Sequence, residues 1–283
     1  MRALRSAVLA ATLIVAVAAP ASSPSADEPE ASAWVDLPNS RARLVASGAA
    51  SAKGSRLVGV ELELAEGWKI YWRMPGDAGV PTTFDWKAST NAAAVKVRYP
   101  RPVRMSEAGV QVIGYKKAVL FPLEVTPADP GRPVGLKIAL EFGICHDICI
   151  PVATTLELTL TPGGAAGKGD AVKAALERVP RSAAERRKTD PWWKRVARVD
   201  DKAGAHLEVD VHFPAGTKGA DLFIEAPEGL YVPFLKRLGE DAGLVRYAVQ
   251  LAPDLAKDLR GKTLTLTMVS EGGASEGQWT FPK

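Results

Sequence analysis

Histidine, cysteine and long hydrophobic runs are all scarce in this 283-residue chain, which has three histidines and two cysteines. Each scarcity excludes something. Beyond the N-terminus no apolar stretch approaches the roughly 20 residues that a membrane-spanning helix needs, so the body of the chain is expected to be soluble. So few histidines assemble into no Ser–His–Asp set of the kind that activates a nucleophile. The glycines form no phosphate-cradling loop, and Asp77 and Asp85 lack the spacing of a metal-binding loop. The net charge of +4 is modest, and no nucleic-acid motif accompanies it.

What is present begins with a targeting signal. Arg2 and Arg5 precede an uncharged, mainly apolar run over residues 7–19, followed by Ala19-Pro20-Ala21 and Ser25-Ala26. A short basic segment, a short apolar core and small residues at a cleavage point describe a secretory signal peptide over residues 1–26. The alternative is an uncleaved membrane anchor. An exported chain meets an oxidising compartment, and this makes the geometry of its two cysteines the most informative feature of the sequence.

Periodicity is that of strands, and the expected fold class is mainly β: two immunoglobulin-like sandwiches joined by a short helical linker. Over residues 27–162, Arg56–Leu64 and the segments 95–99, 118–125, 134–144 and 150–160 alternate apolar and polar residues between Gly and Pro turns. A glycine-rich break at 163–167 opens the linker, expected over 163–199. There Val172, Ala175, Leu176 and Val179 fall at helical spacing with Asp170 as a cap, and a second short helix is expected over 183–188. This zone is basic, from Arg178 to Arg198, and could meet an acidic partner or anionic lipid; a solvated surface is the plainer reading. Residues 200–283 alternate again and read as a second, smaller sandwich, with His206 and His212 on its polar face.

The cysteines lie in Phe142-Gly143-Ile144-Cys145-His146-Asp147-Ile148-Cys149-Ile150-Pro151. If His146, Asp147 and Ile148 form the loop of an antiparallel hairpin, Cys145 faces Cys149. Stepping outward then pairs Ile144 with Ile150, Phe142 with Val152, Leu140 with Thr154, Ile138 with Leu156, Leu136 with Leu158 and Val134 with Leu160. All lie on one face and only Thr154 is not apolar. The other face pairs Lys137 with Glu157, as cross-strand neighbours favour. A slip of one residue would turn one strand's apolar set to the wrong side, so the register is well determined. Opposed β-residues have Cβ atoms about 4.5–5.5 Å apart, close to disulfide geometry. On this reading both cysteines share the Lys137–Glu157 face and are expected to be reachable from solvent.

A bridge closing about five residues contributes only about 2 kcal/mol in the chain-entropy model, against about 4.7 for a loop near 100 residues. A short bridge is a weak staple and a plausible exchange site, with His146 placed to stabilise a thiolate. A structural disulfide is one alternative. A Cu(I) site formed by Cys145, His146 and Cys149 is another, since soft thiolates favour that ion. Trp68, Tyr71 and Trp72 could form an aromatic platform for a sugar or peptide, or pack in the sandwich.

At this motif, and over about residues 64–160, the chain resembles the N-terminal periplasmic domain of the disulfide reductase DsbD, and more closely that of its copper-tolerance relative ScsB. The matching residues are Gly67-Trp68-Lys69-Ile70-Tyr71-Trp72-Arg73-Met74-Pro75-Gly76-Asp77-Ala78-Gly79, Gly114-Tyr115, Phe121-Pro122-Leu123 and the cysteine hairpin through Pro151. The resemblance implies an immunoglobulin-like fold and a redox pair, Cys145 and Cys149, that needs no cofactor. It implies that the pair takes electrons from a membrane-embedded donor and passes them to periplasmic thioredoxin-like proteins. Tyr71 matches an aromatic position near the family's site, and Glu107 matches one of two acidic residues on a loop covering the disulfide. Ser106 and Ala108 replace that loop's other acid and its aromatic, so residues 75–81 are an alternative cover. The sequence carries no membrane electron-transfer domain, and a separate protein is expected to supply electrons.

Overall fold

The computed structural model describes residues 31–50, 54–107, 109–162, 171–202 and 204–283. The expected signal peptide, the glycine-rich break and Asp170 lie outside the described residues. The first eleven strands are β1 (Val35–Leu37), β2 (Ser40–Ala50), β3 (Arg56–Leu64), β4 (Lys69–Gly76), β5 (Thr83–Asp85), β6 (Ala92–Val97), β7 (Val103–Glu107), β8 (Val110–Lys116), β9 (Ala118–Pro127), β10 (Val134–Cys145) and β11 (Cys149–Leu160). After them come α1 (Ala171–Leu176), β12 (Trp192–Asp201), β13 (Gly204–His212), β14 (Asp221–Glu225), β15 (Lys236–Asp241), β16 (Leu244–Gln250), α2 (Pro253–Asp258), β17 (Thr263–Ser270) and β18 (Gly273–Thr280). The protein is mainly β, as the alternation requires.

One sheet of the first sandwich runs β1-β2-β3-β9-β6. The facing sheet runs β11-β10-β4-β8-β7, with β5 paired to β10. Alternate residues of each strand fill the space between the sheets: Leu44, Val58, Val60, Leu62, Phe121 and Leu123 meet Val134, Leu136, Ile138, Leu140, Phe142 and Ile144. Burying each such side chain contributes about 1.5–3 kcal/mol. The opposite parity is polar, and Arg41–Glu63 and Arg43–Glu61 pair across β2 and β3.

The second sandwich packs β12-β13-β16-β15 against β14-β17-β18. Leu207, Val209, Val211, Val245, Tyr247, Leu264 and Leu266 form its core. Its β14 edge docks on the first sandwich, where Phe223 joins the first core and lies 5.8 Å from the Trp72 ring.

Two local expectations are corrected. Residues 183–188 form turns rather than a second helix. The Asp190 carboxylate accepts from the Arg187 amide, so a side chain takes a backbone donor that a helix would need. The strand β12 starts at Trp192, inside the segment expected as linker, and pairs with β13 along its length with one bulge between Trp193 and Arg195. Its charged residues hide the alternation: Arg195 answers Glu208 across the pair. Three more basic residues of this zone are likewise matched within the chain, with Arg181 on Asp190 and Glu177, Arg187 on Glu177 and Arg198 on Asp200. Trp72 and Tyr71 are buried in the sandwich rather than presented as a platform.

Candidate functional site

The β10–β11 hairpin has the register that its sequence demands. Val134 faces Leu160, Phe142 faces Val152, Lys137 faces Glu157, and the ladder ends at Cys145 opposite Cys149. The Lys137 ammonium meets the Glu157 carboxylate at 2.6 Å. The two sulfurs are bonded, with their Cα atoms 4.1 Å apart. His146, Asp147 and Ile148 form the connecting turn, in which the His146 amide donates to the Ile148 carbonyl at 3.1 Å.

The two cysteines are not equivalent. Both were expected on the wet face, and for Cys145 this is corrected: it is 1% exposed, packed with Tyr71, Met105 and Val112. Near Lys137 that face is open to solvent. At the hairpin tip β4 lies alongside, pairing Lys69 with Cys145, and side chains from β4, β7 and β8 close over the sulfur. Cys149 starts β11, the edge strand of its sheet, and is exposed. The disulfide therefore has one open end and one covered end.

Tyr71 links the pair to its cover. Its hydroxyl lies 3.6 Å from Cys149 Sγ. Residues 76–81 then pass across its ring, so closely that a Cβ on Gly79 would sit 2.5 Å from ring carbons. The next residue, Val80, rests against Gly143 of β10. The segment that the sequence offered as an alternative cover thus lies on Tyr71 and against β10. Glu107 sits in β7 opposite Val110, but its side chain and all of Ala108 fall outside the described residues.

His146 is beside the disulfide in sequence, yet its ring contacts lie elsewhere. The ring packs against Trp68 with centroids 5.7 Å apart and fills the space over Gly67, while Nδ1 is 2.8 Å from the Asp147 carboxylate. Sequence reasoning passed over Lys69. It is 4% exposed, and its ammonium donates to the His146 carbonyl at 3.3 Å, on the strand that flanks Cys145. A lysine inside the run Trp68-Lys69-Ile70-Tyr71-Trp72 was the available signal, since a buried ammonium is rarely without a polar purpose. Among the described residues no group of three or more His, Cys, Asp and Glu could hold a metal ion.

Residues 41–161, from β2 to the end of β11, match the family model described as thiol:disulfide interchange protein DsbD, N-terminal. Over this segment the chain is similar to the DsbD N-terminal family. The second sandwich lies outside the segment matched to that DsbD domain. Both sandwiches are covered by a solved structure, the N-terminal periplasmic domain of ScsB from Proteus mirabilis. It aligns with 90% of this chain and 100% of its own, at a TM-score of 0.69 and 21% identity, and is thus a likeness of fold. No curated relative matches the sequence. Among the described residues no helix is long and apolar enough to cross a membrane.

Proposed function

We propose that the protein exchanges thiols and disulfides in the periplasm through Cys145 and Cys149, receiving electrons from a membrane-embedded reductase and passing them to thioredoxin-like proteins. The observation that carries this reading is a short disulfide at a hairpin tip with one buried and one exposed cysteine. The DsbD family match supports the partner classes, and the N-terminal sequence supports the compartment.

The asymmetry sets the order of steps. A donor thiolate reaches Cys149 Sγ, forms a new S–S bond there and expels Cys145 as a thiolate holding the bond's electron pair. The Lys69 ammonium on the neighbouring strand favours that charge. The donor's second thiolate then attacks its own sulfur in the mixed disulfide and releases Cys149. The net result is two thiols here and a disulfide in the donor. Running the same steps backward on an oxidised thioredoxin-like protein hands the electrons on.

Equilibrating the protein with defined thiol–disulfide buffers tests the reading directly. An exchange site has a potential above about −300 mV, whereas a value below that marks a structural bridge and leaves only a binding module. Trapping tests the order of steps. Cys145→Ser in the native periplasm should accumulate a mixed disulfide through Cys149, and Cys149→Ser should accumulate far less. Equal yields from the two variants would overturn the assignment of Cys149 as the attacked sulfur.

A further inference from the structure

The segment that covers the redox pair is held by the other sandwich. Gly76 and Gly79 have φ of +94° and +117°, conformations that glycine adopts freely and other residues rarely. They make residues 76–79 a strap with a bend at each end. At the far end Gly79 lies on the Tyr71 ring and Val80 on Gly143. At the near end Tyr231 Oη donates to Asp77 Oδ1 at 2.5 Å. The Phe234 ring occupies the space where a Gly76 side chain would go, 2.7 Å from the position of its Cβ. Phe234 is itself fixed, because the Arg104 guanidinium stacks on it at 4.4 Å while gripping Asp221 at 2.8 and 2.5 Å. Within the first sandwich the β8 edge adds to the hold: the Asp77 amide donates to the Gln111 carbonyl at 3.0 Å, and the Gln111 amide donates to the Asp77 carboxylate at 3.2 Å.

We infer that Tyr231 and Phe234 of the second sandwich are positioning residues for the redox pair: they hold the strap down on Tyr71 and so keep Cys145 covered while Cys149 stays open. Tyr71, Met105 and Val112 form the cover of Cys145, and of these Tyr71 is the one the strap touches. Burial, together with the carboxylate of Asp77, pushes the ionisation of the Tyr231 hydroxyl well above that of an ordinary tyrosine, so it remains a donor. The consequence rests on the exchange reading. A disulfide attacked at either sulfur gives two different mixed disulfides, and covering one sulfur selects between them. This gives the second sandwich, which lies outside the family-matched segment, a part in the chemistry of the first.

The test does not rely on exchange activity. The full chain is reduced with a phosphine, treated briefly with iodoacetamide, and the modification of Cys145 and of Cys149 is followed separately by peptide mass spectrometry. Tyr231→Phe should raise the Cys145 rate about five-fold, the loss of one hydrogen bond from the closed strap, and leave the Cys149 rate unchanged. Phe234→Ala should raise it further. An unchanged Cys145 rate in Tyr231→Phe, or an equal rise at both cysteines, overturns the inference. If Phe234→Ala fails to fold, Tyr231→Phe still decides, since it removes a single oxygen. The redox potential judges the exchange reading separately, so either idea can fail while the other stands.

Discussion

Tyr115 shows how strictly single side chains are placed around this site. Gly114 and Tyr115 sit on β8 beside the strand that carries Tyr71. A Cβ on Gly114 would fall 2.0 Å from the Ile70 carbonyl oxygen, so only glycine allows the two strands to approach. Tyr115 is buried and donates its hydroxyl to the Pro100 carbonyl at 2.8 Å. Burial raises its ionisation well above the ordinary value, and the distant positive charge of Arg73 offsets this only in part. The sign of the pH effect follows. Above the unfolded tyrosine value of about 10 the unfolded chain loses this proton while the folded protein keeps it, so stability is full below that pH and declines as pH rises. One such group contributes about 1.4 kcal/mol of decline per pH unit. Tyr115→Phe should therefore flatten the alkaline limb of a denaturant-derived stability profile by up to that slope. It should also cost about 1–3 kcal/mol at neutral pH by leaving the Pro100 oxygen unpaired. A profile parallel to that of the unsubstituted protein would contradict this account.

At the scale of elements, the β10–β11 hairpin has two faces with very different consequences for stability. Phe142 is 2% exposed between the sheets, and Phe142→Ala should destabilise by about 3–5 kcal/mol. Lys137→Ala, removing half of an exposed cross-strand pair, should cost about 0.2–1 kcal/mol. Chemical denaturation measures both, and similar losses would mean that the faces are misassigned. This hairpin was legible in the sequence because a period of two and a three-residue turn leave one register that turns the large apolar residues of both strands to the same face. The burial of Cys145 was not legible, because alternation along a strand says nothing about what lies over it. Its cover comes from Tyr71, Met105 and Val112 on strands distant in sequence. The turns at 183–188 escaped for another reason: Ser182, Glu185 and Asp190 satisfy backbone and side-chain groups locally, and helical spacing alone does not register that competition. In β12 the charges of an exposed strand concealed the alternation. Lys69, though inside the recognisable motif, is given its meaning only by the pairing of β4 with Cys145.

At the scale of the whole molecule, Arg73 joins the two sandwiches. Its guanidinium meets Glu225 at 2.8 and 2.7 Å and Glu276 at 2.7 Å, and it stacks over the Trp72 ring at 4.5 Å. Burial by itself would make the cation easier to deprotonate, but hydrogen bonds and charge from Glu225 and Glu276 outweigh that and hold it more firmly protonated. Removing the cation leaves two carboxylates facing each other in a partly desolvated interface, which costs more than the pair contributes when intact. The side chains keep some solvent access, 26% for Arg73, 20% for Glu225 and 33% for Glu276, so the full penalty for a buried pair is discounted to about 2 kcal/mol. That energy belongs to the docking of one sandwich on the other rather than to either core. Arg73→Ala should therefore divide a single calorimetric transition into two, with the second sandwich melting first. Replacing both acids as well, in Arg73→Met with Glu225→Gln and Glu276→Gln, should restore most of the loss by removing the stranded charge. The strap couples this interface to the redox pair, so Arg73→Ala should also speed alkylation of Cys145, and the triple replacement should slow it again. A single transition at the original temperature in Arg73→Ala would show that the ion cluster contributes nothing to holding the sandwiches together.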